Sequence, residues 1–247
     1  MIQNAAKENY FQLFPEELLA SILDAFVINR PMNGEVGGDG FWVHQTSENL
    51  FVVAFDCMGH GYGASMMTRM YAQALEKTVV DLAMTDPSEI LTAIHEHIKA
   101  HFESRPKTYV GSGADMGILR ISKSKKELAF AGAKTDLYCV AKGTCETVKA
   151  DRMQLGELFD YPRSYSTHVI KPDESDPTNF YMASDGLADL IGGPESKKFG
   201  RKQMRAMLAE LSDQTMAAQK KLIATQLDEW SGDQEPLDDL LVIGFRI

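Results

Sequence analysis

Leu50-Phe51-Val52-Val53-Ala54-Phe55-Asp56-Cys57-Met58-Gly59-His60-Gly61-Tyr62-Gly63 runs from an unbroken apolar stretch, through one carboxylate, into a glycine-rich turn. The apolar run reads as a buried strand, and Ala64–Val80 after the turn reads as a helix. An ionised Asp56 at the end of such a strand needs a cation, because burying an unpaired charge costs several kcal/mol or forces protonation.

Working outward, Phe41–Thr46 and Leu50–Asp56 form a hairpin pair around Ser47-Glu48-Asn49. Pro15–Leu23 is expected to be a short helix and Asp24–Asn29 a first strand. A second long helix, Ser88–Phe102, starts after Asp86-Pro87. From Ala114 the period becomes that of strands: Met116–Ile121, Leu128–Ala131, Leu137–Ala141, Glu146–Lys149, Tyr165–Ile170 and Phe180–Ser184. Helices over Lys198–Leu211 and Met216–Trp230 precede a last strand, Leu240–Ile247. Strands cluster around helix pairs and do not alternate with them one for one. That order predicts an α+β layered domain, with two sheets packed together and helices outside.

The chain has 247 residues, 44% of them hydrophobic and 24% charged, enough to bury a sizeable core in one large domain. Lys and Arg total 25 against 35 Asp and Glu, a formal charge of −10 that argues against nucleic-acid binding. Cys57, Cys139 and Cys145 form no CxxC pair and leave an odd thiol, which fits a reducing cytosol. No apolar stretch approaches the ~20 residues of a membrane span, and Met1–Phe14 lacks the order of a signal peptide. The expectation is a cytoplasmic protein with no direct membrane insertion.

Four segments repeat the Asp56 design, with an acid beside glycine or another acid at a strand end or turn. They are Gly37-Gly38-Asp39, Phe55-Asp56-Cys57, Ser184-Asp185-Gly186 and Leu237-Asp238-Asp239. Taken singly, each is a turn or a helix cap. Taken together they suggest a divalent-metal site, since Mg²⁺ and Mn²⁺ prefer hard oxygen ligands and need few carboxylates each.

At these residues the sequence resembles the bacterial SpoIIE-type serine/threonine phosphatases of the metal-dependent protein phosphatase 2C superfamily. The matching stretches are Gly37-Gly38-Asp39-Gly40-Phe41-Trp42, Asp56-Cys57-Met58-Gly59-His60-Gly61, Phe130-Ala131-Gly132-Ala133-Lys134 and Ala183-Ser184-Asp185-Gly186-Leu187. Gly192-Gly193-Pro194 with Lys198-Phe199-Gly200, and Asp238-Asp239-Leu240-Leu241-Val242-Ile243-Gly244-Phe245, complete the ordered set. The resemblance implies a four-layer αββα sandwich over residues 24–247 with two Mn²⁺ or Mg²⁺ ions. Carried over by position, Asp56 bridges both ions, the Cys57 carbonyl adds an oxygen, Asp39 serves the second ion, and Asp185 and Asp238 complete the first. Asp239 falls where the superfamily often has Asn. The implied reaction is attack of a metal-bridging hydroxide on phosphoserine or phosphothreonine. The implied substrate is an anti-sigma factor antagonist in partner-switching signalling. Cys57 replaces the Gly or Val of many relatives, and Lys134 stands where many have His. Lys134 is read either as a phosphate contact or as a solvated side chain, and His60 either as a proton donor to the leaving group or as a turn residue.

Residues 1–23 correspond to a coupling helix in relatives joined to an upstream sensor. Here Phe11, Phe14, Leu18, Leu19 and Ile22 offer a regulator or homodimer face, or an ordinary packed helix. Asp115, in a glycine-rich stretch, is either near the metals or a turn residue. Gly59-His60-Gly61-Tyr62-Gly63-Ala64 also fits a dinucleotide loop, but Asp81 ends a helix and no second strand, and Asp56 would face pyrophosphate with like charge. His97 and His101 lack the HExxH spacing of a zinc site, which leaves a solvated helix face. A catalytically silent, partner-binding version of the fold is the alternative function. Retention of all four acids speaks against it.

Overall fold

In the computed structural model, which describes residues 14, 16–32, 36–103, 112–157, 164–173 and 175–247, the opening apolar run lies inside β3 (Asn49–Cys57). β3 pairs with β2 (Asp39–Gln45) on one side and β4 (Ala114–Ser122) on the other. Adding β5 (Leu128–Ala133) and β8 (His168–Ile170) gives a five-stranded sheet in the order β2-β3-β4-β5-β8. The second sheet contains β1 (Asp24–Arg30), β6 (Leu137–Ala141), β7 (Thr144–Val148), β9 (Asn179–Ala183) and β12 (Leu240–Arg246), in the order β1-β12-β9-β6-β7. A small hairpin joins β10 (Ile191–Gly192) to β11 (Lys197–Lys198).

The layering follows from the period of two along each strand. Leu241, Ile243 and Phe245 of β12 belong to the core that also holds Phe51, Val53 and Phe55 of β3. The alternate residues Leu240 and Val242 pack with Met204, Met207 and Leu208 of α5 (Gly200–Glu210) and with Ile223 and Leu227 of α6 (Met216–Ser231). On the other side, α2 (Gly61–Leu75) and α3 (Pro87–Glu103) cover the first sheet through Met67, Tyr71, Ile90 and Ile94. The order is helix, sheet, sheet, helix: the expected α+β sandwich. Fully burying one large apolar side chain stabilises the fold by about 1.5–3 kcal/mol, so strands apolar on both faces fix this stacking.

Each pairing within the two large sheets is antiparallel. That removes the parallel βαβ unit a dinucleotide loop requires. The helix expected over Ala64–Val80 starts at Gly61 and passes into a π-helical segment, Glu76–Asp81, where the Leu82 amide reaches back to the Lys77 carbonyl at 3.1 Å. The strand expected from Tyr165 begins only at His168. In the N-terminal segment, α1 (Glu16–Ile22) packs against the body: Leu19 and Leu23 are buried and Phe14 stacks on Phe41 at 5.4 Å, while Leu18 faces outward. Phe11 lies outside the described residues. Among the described residues, no helix is long and apolar enough to cross a membrane.

Candidate functional site

Strand register brings three acids together. In the first sheet Asp39 pairs with Asp56, and Asp56 with Asp115, so the three stand side by side on adjacent strands at one end. The second sheet ends β9 and begins β12 at the same place. Asp185 opens the short α4 (Asp185–Asp189) directly after β9, and Asp238 and Asp239 directly precede β12. The Ser184 hydroxyl ties the sheets: it donates to Asp39 Oδ2 at 2.7 Å and accepts from the Leu241 amide at 3.0 Å.

This proximity is electrostatic as well as geometric. Burial pushes the Asp39 carboxyl well above the usual carboxylate range; the Ser184 bond opposes that, and Asp239, Asp238 and Asp185 add to it. Asp56 is raised likewise, first by burial and then by Asp39, Asp185, Asp238 and Asp115. Asp115 rises to about 6, chiefly by burial, with Lys134 opposing. Asp238 is raised by burial, and His60 is close enough to oppose that shift. Crowded carboxylates that penalise each other's ionisation form an all-oxygen donor set suited to a hard divalent cation. They share a neighbourhood and not a closed cage: among the described residues, no three Asp, Glu, His or Cys side chains form a ready-made metal-holding group. Hard cations such as Mg²⁺ usually keep several waters, which bridge such spacing.

The adjacent acids Asp238 and Asp239 differ sharply. Asp239 is buried and accepts from the Met32 amide at 2.7 Å and the Gly38 amide at 2.6 Å. It pins the loop that leads into Asp39. Asp238 is half-buried, accepts from the Asp239 amide at 2.9 Å, and lies within electrostatic reach of Asp185 and His60. The Cys57 thiol is buried and pushed up by burial and then by Asp56, so thiolate chemistry is disfavoured. Its carbonyl abuts Gly38, where an added Cβ would lie 2.3 Å away. Gly59 (φ 87°) and Gly61 (φ 72°) make the turn after β3 in a backbone region other residues rarely enter. His60, exposed between them, is the N-cap of α2.

Lys134 sits in the left-handed region (φ 61°), with its amide bonded to the Asp151 carbonyl at 2.7 Å and its Nζ 3.7 Å from Asp115 Oδ1. Asp56, Asp115, Lys134 and Asp185 line a cleft of about 500 Å³. His97 and His101 are exposed on α3, away from any metal-holding group among the described residues. His95 is buried, and its Nδ1 accepts from the Gly156 amide at 3.1 Å.

A family model described as Stage II sporulation protein E (SpoIIE) matches residues 46–247. The chain belongs to the SpoIIE family. The SpoIIE fold is also found in the SiaA-PP2C domain of Pseudomonas aeruginosa, 23% identical, with a TM-score of 0.86 over 100% of this chain and 96% of that one. The PP2C phosphatase domain of SpoIIE from Bacillus subtilis, determined with a fragment of its regulatory domain, is 17% identical, with a TM-score of 0.71 over 90% of this chain and 62% of that one. RsbX in complex with magnesium gives 17% identity and a TM-score of 0.60 over 90% of this chain and 94% of that one. No curated protein matches the sequence significantly.

Two contributors to this SpoIIE site escape sequence reasoning. By spacing, Ser184 is only the residue before Asp185, and Asp239 only an alternative acid. Neither a cross-sheet hydroxyl nor the direction of a carboxylate leaves a mark in residue spacing. Gly38 is a steric requirement of the site, since a Cβ added there would meet the backbone carbonyls of Cys57 and Gly59 at 2.3 and 2.8 Å. Gly38→Ala is expected to lower the melting temperature by about 2–12 °C, from about 1–3 kcal/mol of overpacking at about 2–4 °C per kcal/mol. Thermal unfolding followed by circular dichroism checks this, and an unchanged melting curve would show that the loop gives way freely.

Proposed function

We propose that the chain is a metal-dependent protein serine/threonine phosphatase. The observation that carries this reading is the convergence of Asp39, Asp56, Asp185 and Asp238, drawn from both sheets and close enough to raise one another's carboxyls, with Asp56 and Asp185 lining one cleft. In this reading Asp39, Asp56, Asp185, Asp238 and the Cys57 carbonyl would hold two Mn²⁺ or Mg²⁺ ions. When bound, such ions supply Lewis acidity toward phosphoryl oxygens and a nucleophile available near neutral pH. Lys134, whose ammonium lies 3.7 Å from Asp115 and lines the same cleft as Asp56, would contact the incoming phosphate. His60, the N-cap of α2 and near enough to Asp238 to affect its carboxyl, would give a proton to the departing serine or threonine alkoxide. Ser184 and Asp239 hold Asp39 and its loop in place.

The substrate class follows from the family resemblance: a phosphorylated anti-sigma factor antagonist, with control by an upstream sensor domain or through a homodimer. Membership of the family supports the phosphatase reading, and the magnesium in RsbX supports the choice of metal. The test is phosphate release from a small aryl phosphate and from a phosphoserine protein, with Mn²⁺ and then with chelator. Turnover should require the metal and return when Mn²⁺ is restored. In folded, Mn²⁺-loaded protein, release no faster than from an Asp56→Asn control on both substrates would leave a partner-binding module instead.

A further inference from the structure

Lys149 and Arg201 line the same cleft as Asp56 and Asp185, and the way they are mounted is specific. Asp136 is buried, with 6% of its surface exposed, yet it carries two cations. Its Oδ2 accepts from Lys149 Nζ at 2.8 Å and from Arg201 Nη1 at 3.3 Å, while Oδ1 accepts from the Ala150 amide at 3.0 Å. Lys149 follows β7 and Arg201 is the second residue of α5, so the two come from separate elements and meet only here. Both side chains remain 67% and 57% exposed and line the same cleft as Asp56 and Asp185.

A stabilising role explains this poorly. Half-exposed ion pairs contribute about 0–1 kcal/mol each, and the Ala150 amide with one cation would already satisfy the Asp136 carboxylate. The arrangement does, however, fix two long side chains in place. Each head keeps further donors beyond the one used on Asp136, since an ammonium has three and a guanidinium five. The local sum of Asp136, Lys149 and Arg201 is one net positive charge, held rigid on a protein whose formal charge is −10. Two prepositioned cations lining a cleft match a carboxylate or phosphate, and they incur little ordering cost on binding.

We propose that Lys149 and Arg201, clamped by Asp136, form a docking point for an acidic group carried beside the scissile phosphoresidue of the substrate. The preferred substrates are then phosphoserine or phosphothreonine segments flanked by Asp, Glu or a second phosphate. This rests on the phosphatase reading and adds sequence preference to it. Asp136 is a positioning residue here, and the two cations make the contact. Such a contact lowers KM for acidic-flanked peptides and leaves a small aryl phosphate, which carries no flanking acid, unaffected.

The experiment compares the Mn²⁺-loaded protein with its Arg201→Gln and Lys149→Gln variants and the double variant. Four phosphoserine peptides are used, with alanine, acidic, lysine or second-phosphoserine flanks, alongside an aryl phosphate. Wild type should favour acidic over alanine flanks by about tenfold in kcat/KM, carried by KM, as two charge-assisted contacts allow. The double variant should bring that ratio to about 1 while aryl phosphate turnover stays within about twofold. The acidic and doubly phosphorylated peptides then show which anion the two cations take. Equal rates on acidic and alanine flanks in wild type, or a ratio that survives in the double variant, would overturn the proposal. So would an equal loss on aryl phosphate. Absence of aryl phosphate turnover in every sample is failure of the phosphatase reading instead. In that case, the same ratios measured as peptide affinities by fluorescence anisotropy decide the docking point on the same criteria.

Discussion

Replacing Asp56 with Asn is expected to abolish phosphate release and, in the metal-free protein, to raise the melting temperature. The two effects share one cause. Asp56 lies among Asp39, Asp115, Asp185 and Asp238, and its carboxyl is pushed well above the usual range by burial and then by those neighbours. A group whose folded pKa is raised stabilises the fold below its unfolded value, near 4, and that contribution is lost as pH rises through the folded value. Neutral pH is therefore the unfavourable condition for the metal-free site. Asn keeps the shape and removes one charge from the cluster. If that relieves about 2 kcal/mol, the melting temperature rises by about 4–8 °C, and the gap between wild type and variant should widen from pH 5 to pH 8. Loss of a shared metal ligand removes several kcal/mol of transition-state stabilisation, about 10³-fold or more in rate. Calorimetric scans in chelator and initial rates in saturating Mn²⁺ give the two readouts. A variant that melts lower at neutral pH, or that retains near-wild-type turnover, would sink the account of Asp56.

The second large contrast separates neighbours. Asp239→Ala is expected to damage the fold, and Asp238→Ala the activity. Asp239 accepts two backbone amides in a buried setting, and bonds to a charged acceptor contribute about 1.5–3 kcal/mol each. Losing both costs about 3 kcal/mol or more and lowers the melting temperature by about 6–12 °C. Asp238 is half-buried, and its ionisation is already disfavoured in the fold. Removing it should leave metal-free stability within about 2 °C, while turnover falls about 10²-fold or more through lost Mn²⁺ binding. Isothermal titration with Mn²⁺ and thermal melts on both variants settle the assignment. If the two proteins lose stability and metal affinity alike, the division of roles is wrong.

The strands are legible in the sequence where both faces are buried. Leu50–Phe55 and Leu240–Phe245 have no polar interruption, so no choice of register alters their reading. The layered order follows from the clustering of strands before and after helix pairs. The acids are legible as a set through the glycines and strand ends around them, because backbone crowding near an acid restricts which residues fit. Direction is not legible. The resemblance singles out Asp238 as the metal acid, but nothing in the sequence shows that Asp239 turns inward to accept the Gly38 amide. The π-helical turn at Glu76–Asp81 also escapes, since its wider ladder depends on tertiary contacts such as the Trp42 Nε1 bond to Glu76 at 3.0 Å. Asp136 and Lys149 face each other just beyond the paired ends of β6 and β7, as consecutive strands of a hairpin allow, whereas the approach of Arg201 from the start of α5 is a property of the fold alone.

The Ser184 hydroxyl makes the sandwich behave as a calliper. Asp39, Asp56 and Asp115 ride on one jaw, Asp185 and Asp238 on the other, and this bridge holds the gap at their tips. The spacing of the acids is thus the spacing of the sheets. Movements within either sheet leave the gap unchanged, whereas a slide of one sheet over the other resets it. A force that slid one sheet over the other would therefore act on the acids without touching them.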